Sequence, residues 1–101
     1  MLPNGYDFCS EFYVVEKSIE VVVQIREVDR TFRIDALHNP TTNRYRTRAS
    51  VLEQITVQPI YPQRKTELVR AWIEYNIPWT NKESADDALV QALGFLKEQS
   101  A

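Results

Sequence analysis

Three arginines separated by single residues are the side chains in this sequence best suited to recognition chemistry. Arg44, Arg46 and Arg48 alternate with uncharged residues, and a period of two places three guanidinium groups on one face of an extended strand. A guanidinium group binds carboxylates and phosphates through paired, charge-assisted hydrogen bonds. The spacing therefore predicts a sheet with one packed face and one open face that carries arginine.

Alternation in the neighbouring strands adds further residues to this predicted binding face. Trp72 or Tyr45 would give it a stacking surface for a base or another planar ligand. The alternative is an ordinary solvated face, on which cross-strand charge pairs have no role beyond solubility. The predicted face consists of Arg26, Arg33, Arg44, Arg46, Arg48, Arg70 and Trp72.

The sequence has one cysteine, Cys9, and one histidine, His38. Nucleophilic catalysis requires a base within hydrogen-bond reach of the nucleophile, and a structural zinc site requires four ligands. Nothing in the sequence places these two residues together. We therefore expect Cys9 to be a small buried or half-buried thiol and His38 a solvated turn residue, and we predict no catalytic residue, metal or cofactor.

An acidic cluster near the C-terminus has the composition of a cation site. Adjacent residues on a helix diverge by about 100 degrees, so Asp86 and Asp87 cannot both point into one site. Carboxylates in the first turn of a helix are instead favoured by the helix dipole. Helix capping accounts for Glu83, Asp86 and Asp87 without a metal, and with only two glycines the chain has no phosphate-binding loop.

The charge is unevenly distributed along the chain. The net charge is −2, which argues against a general nucleic-acid binder because phosphate neutralisation drives such binding. Residues 26–70 nevertheless hold nine basic and five acidic side chains, whereas the remainder holds three and nine. The molecule is therefore predicted to be basic in its middle strands and acidic at its ends.

The elements that position these residues are strands over most of the chain. We expect a loose tail over residues 1–7 and a single domain over 8–101. Residues 8–28 have strand composition with an irregularity at Lys17–Ser18, and Asp29–Arg30 is predicted as a tight turn. A turn over residues 38–43 precedes the arginine strand, which extends to Val57 and is ended by prolines at positions 59 and 62.

The C-terminal part contains one ambiguous segment and one clear helix. Residues 67–75 fit either a helix or a strand, and a strand is preferred because its aromatic and β-branched residues favour it and Pro78 would cut a helix short. Trp79 is interpreted as an apolar plug between sheet and helix, with a ligand contact as the alternative. The helix is capped by Thr80 with Glu83 or by Ser84 with Asp87, and its apolar stripe is Ala85, Ala88, Leu89, Ala92, Leu93 and Leu96.

These elements predict an α+β fold: an antiparallel sheet of four to five strands with one C-terminal helix packed on one face. The strand–turn–helix junction over residues 78–87 resembles the second half of a double-stranded-RNA-binding domain. That family binds RNA through a basic cluster at the start of its last helix, where this chain has the acidic run 82–87. The segments 78–80 and 85–89 also resemble the end of a family of small bacterial proteins. Neither resemblance transfers a functional residue.

The expected function is a small non-enzymatic binding module. Its partner would be an acidic protein, a second copy of the chain or an anionic ligand, bound on the arginine-bearing face. The alternative is RNA or single-stranded nucleic acid on the same face, with phosphates on arginine and bases on Trp72. No apolar run approaches the length of a membrane span and residues 1–5 do not have the composition of a signal peptide, so we expect a cytoplasmic location and no membrane partner.

Overall fold

The computed structural model describes residues 11–57, 67–78 and 80–100. The predictions for the tail, Cys9, the prolines at positions 59 and 62, and Trp79 lie outside these residues. The described chain forms four strands and one helix: β1 (Val14–Ile25), β2 (Val28–Asn39), β3 (Arg44–Val57), β4 (Glu67–Tyr75) and α1 (Ala85–Gln99). The predicted α+β class is therefore confirmed, with four strands in the described residues.

The sheet is an antiparallel meander with strand order β1-β2-β3-β4. Register places apolar residues opposite one another along the first three strands, as in the pairs Ile19 with Ile34 and Phe32 with Val51. The ambiguous segment 67–75 is a strand, as preferred from its composition. A bulge lies between Val15 and Lys17 in β1, close to the irregularity predicted at Lys17–Ser18.

The β1–β2 turn differs from the prediction. It lies at Arg26–Glu27, both with positive φ (51° and 68°), and not at Asp29–Arg30. A turn three residues later would shift the β2 partner of each β1 residue by six positions. Because six is an even number, each side chain would still face the same side of the sheet, and alternation alone cannot distinguish the two registers. The turn lacks the glycine or asparagine that two-residue hairpins prefer, so the sequence carries no local signal for its position.

The helix covers one face of the sheet, chiefly over β1, β2 and β3. Ser84 is its N-cap and accepts a hydrogen bond from the Asp87 backbone N–H at 3.1 Å, so the second of the two predicted caps is the one formed. Thr80 is instead buried, with its hydroxyl 3.2 Å from that of Thr47. The predicted stripe packs onto the sheet, and the core consists of Phe32, Ile34, Ala36, Ala49, Val51, Leu89, Ala92 and Leu96.

Strand β3 joins two parts of the sheet that overlap only slightly. Residues 44–51 of β3 pair with β2, whereas residues 49–57 pair with β4. Past Val51, β3 and β4 therefore pair only with each other among the described residues. The helix reaches β4 where the Tyr75 hydroxyl donates a hydrogen bond to Gln99, so most of β4 has no helical cover.

Candidate functional site: the open face of the sheet

The face of the sheet opposite α1, here called the open face, carries most of the predicted binding residues. Direct cross-strand neighbours share a face, and the register pairs Asp35 with Arg48, Leu37 with Arg46 and Leu52 with Trp72. Alternation then places Arg33 and Arg70 on the same face. By alternation the open face carries six of the seven predicted residues in strand positions facing away from the helix: Arg33, Arg44, Arg46, Arg48, Arg70 and Trp72.

The centre of this face is built around one carboxylate. Asp35 is buried, and its carboxylate accepts hydrogen bonds from Arg33 Nε at 3.3 Å and from Arg48 Nε and Nη2 at 3.3 and 2.8 Å. The Ser18 hydroxyl also donates to it. Residue spacing predicts such pairs only for a solvated face and carries no signal that Asp35 is the shared partner of two arginines.

The environment of Asp35 favours its ionised form. Burial by itself raises the pKa of a carboxyl, but the hydrogen bonds from Ser18 and Arg48 and the positive charges of Arg33 and Arg48 outweigh it. The pKa of Asp35 therefore lies below its ordinary value. At neutral pH the carboxylate is charged and holds both guanidinium groups on the face.

Arg46 lies at one end of this group, over an aromatic ring. Its guanidinium carbon is 5.2 Å from the centroid of the Tyr13 ring, a cation–π geometry. Leu37, opposite Arg46 in β2, is only 5% exposed although it belongs to the open face. Tyr13 precedes β1, and no spacing in the sequence indicated this contact. We call Arg33, Arg46 and Arg48, with Asp35, the arginine cluster.

Arg44 and Arg26 have different positions from the arginine cluster. Arg44 donates hydrogen bonds to the Asn81 side chain and backbone oxygens at 2.8 and 2.9 Å, and to Glu83 at 3.3 Å. It therefore holds the segment before α1 against β3, where the backbones of Tyr45 and Lys82 also pair. Arg26 lies in the β1–β2 turn and not in a strand position of the open face.

Two clefts lie near these arginines. A cleft of about 200 Å³ separates the arginine cluster from the β2–β3 loop and the segment before α1. Its lining includes Tyr13, Arg44, Tyr45, Arg46 and Asn81. It is smaller than the roughly 300–1,000 Å³ typical of small-molecule sites, and its size suits a single side chain of a partner.

The larger cleft, of about 700 Å³, lies on the helix-bearing face beside the end of α1. Arg30 donates to Glu53 within it, and Arg26 and Tyr75 also line it. His38 does not line this cleft, because it lies at the far end of β2. Its ring stacks on that of Tyr45, with centroids 4.7 Å apart.

Asp86, from the acidic cluster at the start of α1, has a structural partner. Asp86 pairs with Lys17 Nζ at 2.5 Å, which ties β1 to the first turn of the helix and raises the pKa of Lys17.

Within residues 11–57, 67–78 and 80–100, no three His, Cys, Asp or Glu side chains are grouped so that they could hold a metal ion. In the same residues, no helix is long and apolar enough to cross a membrane.

The position of Trp72 separates it from the arginine cluster. Trp72 is 38% exposed, and its β3 neighbour Leu52 lies four residues beyond Arg48, a distance of about 13 Å along a strand. Arg70, two residues away on the same strand, is its closer cationic neighbour in register.

Comparisons of this chain with protein-family models, curated proteins and solved structures gave no match.

Proposed function

We propose that this protein is a small non-enzymatic interaction module that binds an acidic protein segment through the arginine cluster. The observation that carries the proposal is the sharing of one buried carboxylate by Arg33 and Arg48. An arginine has five N–H donors, and among the described residues Arg33 uses one and Arg48 two of them on Asp35. The remaining donors belong to side chains that are about half exposed.

The contacts to Asp35 reduce the entropic cost of binding. A free arginine side chain loses rotamer freedom when a ligand immobilises it, which costs about 0.5–1.5 kcal/mol. Arg33 and Arg48 are already oriented by a carboxylate that is itself fixed by Ser18. An incoming carboxylate therefore meets guanidinium groups whose direction is set before binding.

The cleft beside Arg46 gives this surface a place for an acidic side chain. Arg46 lines it above the ring of Tyr13, and Arg44 lines it while bound to Asn81 and Glu83. The Tyr13 ring shields a carboxylate bound at the Arg46 guanidinium group from water, and a lower local dielectric strengthens that attraction. A partner with several Asp or Glu residues would reach this cleft and the Asp35 pair together.

The surrounding charge favours a protein segment over a phosphate chain. Glu20 lies opposite Arg33 in register, and Glu74 lies opposite Ser50 on the same face. A nucleic acid crossing the face would pass these carboxylates, whereas an acidic peptide with mixed side chains can place its charges locally. The separation of Trp72 from the cluster also means that one small planar ligand would not contact both.

Binding of a labelled glutamate-rich peptide, measured by fluorescence anisotropy, tests the proposal. The R33Q/R48Q variant is expected to bind about tenfold more weakly, since charge-assisted hydrogen bonds are lost. Circular dichroism checks that this variant remains folded, because the buried Asp35 loses both of its arginine partners. The matched control K97Q/K82Q also removes two positive charges, but away from the open face, and should bind the peptide as the unaltered protein does.

Oligouridylate of the same length is the comparison ligand. Preference for the oligonucleotide, with an affinity that falls steeply as salt is added, would support the nucleic-acid alternative and overturn the proposal. Equal loss of peptide binding in both double variants would show that net charge, and not the arginine cluster, determines affinity.

A further inference from the structure

The outer edge of β4 is the least protected edge of the sheet. β4 is the last strand in the sheet order, and no described segment of the chain pairs with its outer side. Four of its nine residues are large exposed hydrophobics. Their exposed fractions are 66% for Leu68, 41% for Val69, 38% for Trp72 and 41% for Ile73. An edge of this kind is a template for pairing with another chain.

The opposite edge of the sheet is protected, although it also exposes valines. Both edge strands carry charged residues, but only β1 contains a bulge, between Val15 and Lys17. A bulge is one device by which sheet edges avoid pairing with other chains. β4 has regular register with β3 over its whole length, so its edge retains the geometry needed for pairing.

We propose that β4 pairs antiparallel with β4 of a second copy, about a two-fold axis at Trp72, so that the four described strands of each copy form one continuous sheet. A two-fold axis perpendicular to the sheet keeps each face on its own side, so open-face residues oppose open-face residues. Trp72 then faces Trp72 of the second copy. Arg70 faces Glu74 of the second copy, and Glu74 faces its Arg70.

Charge complementarity selects this register over its neighbours. An axis at Arg70 or at Glu74 would place two like charges opposite each other, which is destabilising. An axis at Ala71 would place Arg70 opposite Trp72, and Leu68 opposite Glu74. Only the axis at Trp72 places both open-face charged residues of β4, Arg70 and Glu74, opposite residues of opposite charge. The order Arg70-Trp72-Glu74 is thus complementary to itself when reversed.

The other face of β4 fits the same register. With the axis at Trp72, Ala71 faces Ile73 and Val69 faces Tyr75 of the second copy. All of these are apolar or aromatic side chains, and Val69 and Ile73 are among the exposed hydrophobics of this strand. Antiparallel pairs of aromatic and β-branched residues stabilise a sheet. One register therefore gives charge pairing on one face and apolar pairing on the other.

The inference goes beyond the proposed function and does not depend on it. The arginine cluster lies on β2 and β3, whereas the dimer contact uses β4 alone. In the dimer, both clusters would occupy the same face of one continuous sheet, so an acidic partner with two binding segments would bind with increased avidity. A monomer that still binds the acidic peptide would refute the dimer and leave the proposed function standing.

Sedimentation equilibrium of charge variants tests the contact. The unaltered protein is expected to dimerise, and either R70E or E74R should raise its dissociation constant about tenfold or more, because each replaces two attractive cross-strand pairs with repulsive ones. The charge-swapped variant R70E/E74R restores opposite charges across the axis and should recover dimerisation. Circular dichroism of each variant checks that the fold is retained.

Cysteine cross-linking tests the register. In a background where Cys9→Ala removes the native thiol, W72C should form a disulfide-linked dimer, since opposed residues have Cα atoms about 4.5–5.5 Å apart. R70C is the control: the two copies of residue 70 lie four residues apart, about 13 Å, and should not cross-link.

Three results would overturn the inference. One is a protein that stays monomeric at every concentration examined. Another is a dimer whose dissociation constant is unchanged in R70E and E74R. The third is a cross-link that forms as readily through R70C as through W72C, because no single register about Trp72 allows both.

Discussion

Asp35 and Arg48 are direct cross-strand neighbours on the open face, and Arg48 places Nε and Nη2 3.3 and 2.8 Å from Asp35 Oδ2. The carboxylate is buried, whereas the side chain of Arg48 is about half exposed. Asp35 is therefore a buried charge that the fold requires, and Arg48 is an exposed charge that a binding partner can contact. Replacement of Asp35 is therefore expected to act on stability, whereas replacement of Arg48 acts on binding and also removes a partner of the buried carboxylate.

Replacing Asp35 by Asn should destabilise the fold by about 2 kcal/mol, because hydrogen bonds from charged arginines to a buried group are lost. Two guanidinium groups would then lie close together without a counter-charge. The measurement is urea unfolding followed by circular dichroism. D29N is the matched control: Asp29 is an exposed carboxylate of β2, and its removal should change the free energy of unfolding little.

The same residue predicts a pH dependence. The folded-state pKa of Asp35 is lowered, so its contribution to stability is fully present above the unfolded pKa of roughly 4 and is lost as pH falls through the lower folded value. The difference in unfolding free energy between the unaltered protein and D35N should shrink on acidification below about pH 4. A difference that stays constant from neutral pH to pH 3 would contradict this account.

Much of the fold followed from alternation and helix periodicity. The packed stripe of α1, the strand nature of β4 and the shared face of Arg33, Arg48 and Trp72 needed only local spacing. Contacts made by segments with no pattern of their own were not predictable, as with Tyr13 beneath Arg46. Nor could spacing show that Asp35 would be buried on a face expected to be open, because burial depends on neighbouring strands.

The unfavourable β1–β2 turn predicts a stabilising change. Arg26 and Glu27 both have positive φ, a conformation that costs a residue with a Cβ about 1–2 kcal/mol. Replacing them by Asn-Gly, the preferred pair for a two-residue turn of this type, should raise stability by about 1–2 kcal/mol. Thermal unfolding would show this as an increase in Tm of several degrees.

The corresponding change at the position predicted from sequence is the control. D29N/R30G should destabilise the protein, since both residues lie in β2 and Arg30 donates to Glu53. If this variant were the more stable of the two, the hairpin would turn at Asp29–Arg30 and the register of β1 would differ from the one described here.

Gly94 gives a test of helix α1 that is independent of the sheet. It lies in the second half of the helix, and a Cβ added there would meet nothing within 4 Å. Alanine is about 1 kcal/mol more favourable than glycine in a helix interior. G94A should therefore raise the free energy of unfolding by up to about 1 kcal/mol, measured by urea titration. A loss of stability would mean that this face of α1 is in contact with something.

Arg44 is expected to act on local order and not on the arginine cluster. Its bonds to Asn81 and Glu83 support the backbone pair between Tyr45 and Lys82, whose two hydrogen bonds are 2.9 and 3.0 Å long. R44Q should accelerate hydrogen exchange at the amides of Tyr45 and Lys82 by up to about tenfold, while amides in the centre of β2 keep their protection.

R46Q is the matched control for this prediction, because Arg46 is on the same strand but lies over Tyr13. It should leave exchange at the amide of Lys82 unchanged. If R44Q instead weakened peptide binding while leaving these amides protected, Arg44 would be a ligand contact. The segment before α1 would then stay against β3 without the hydrogen bonds from Arg44 to Asn81, and the structural role given to Arg44 would be wrong.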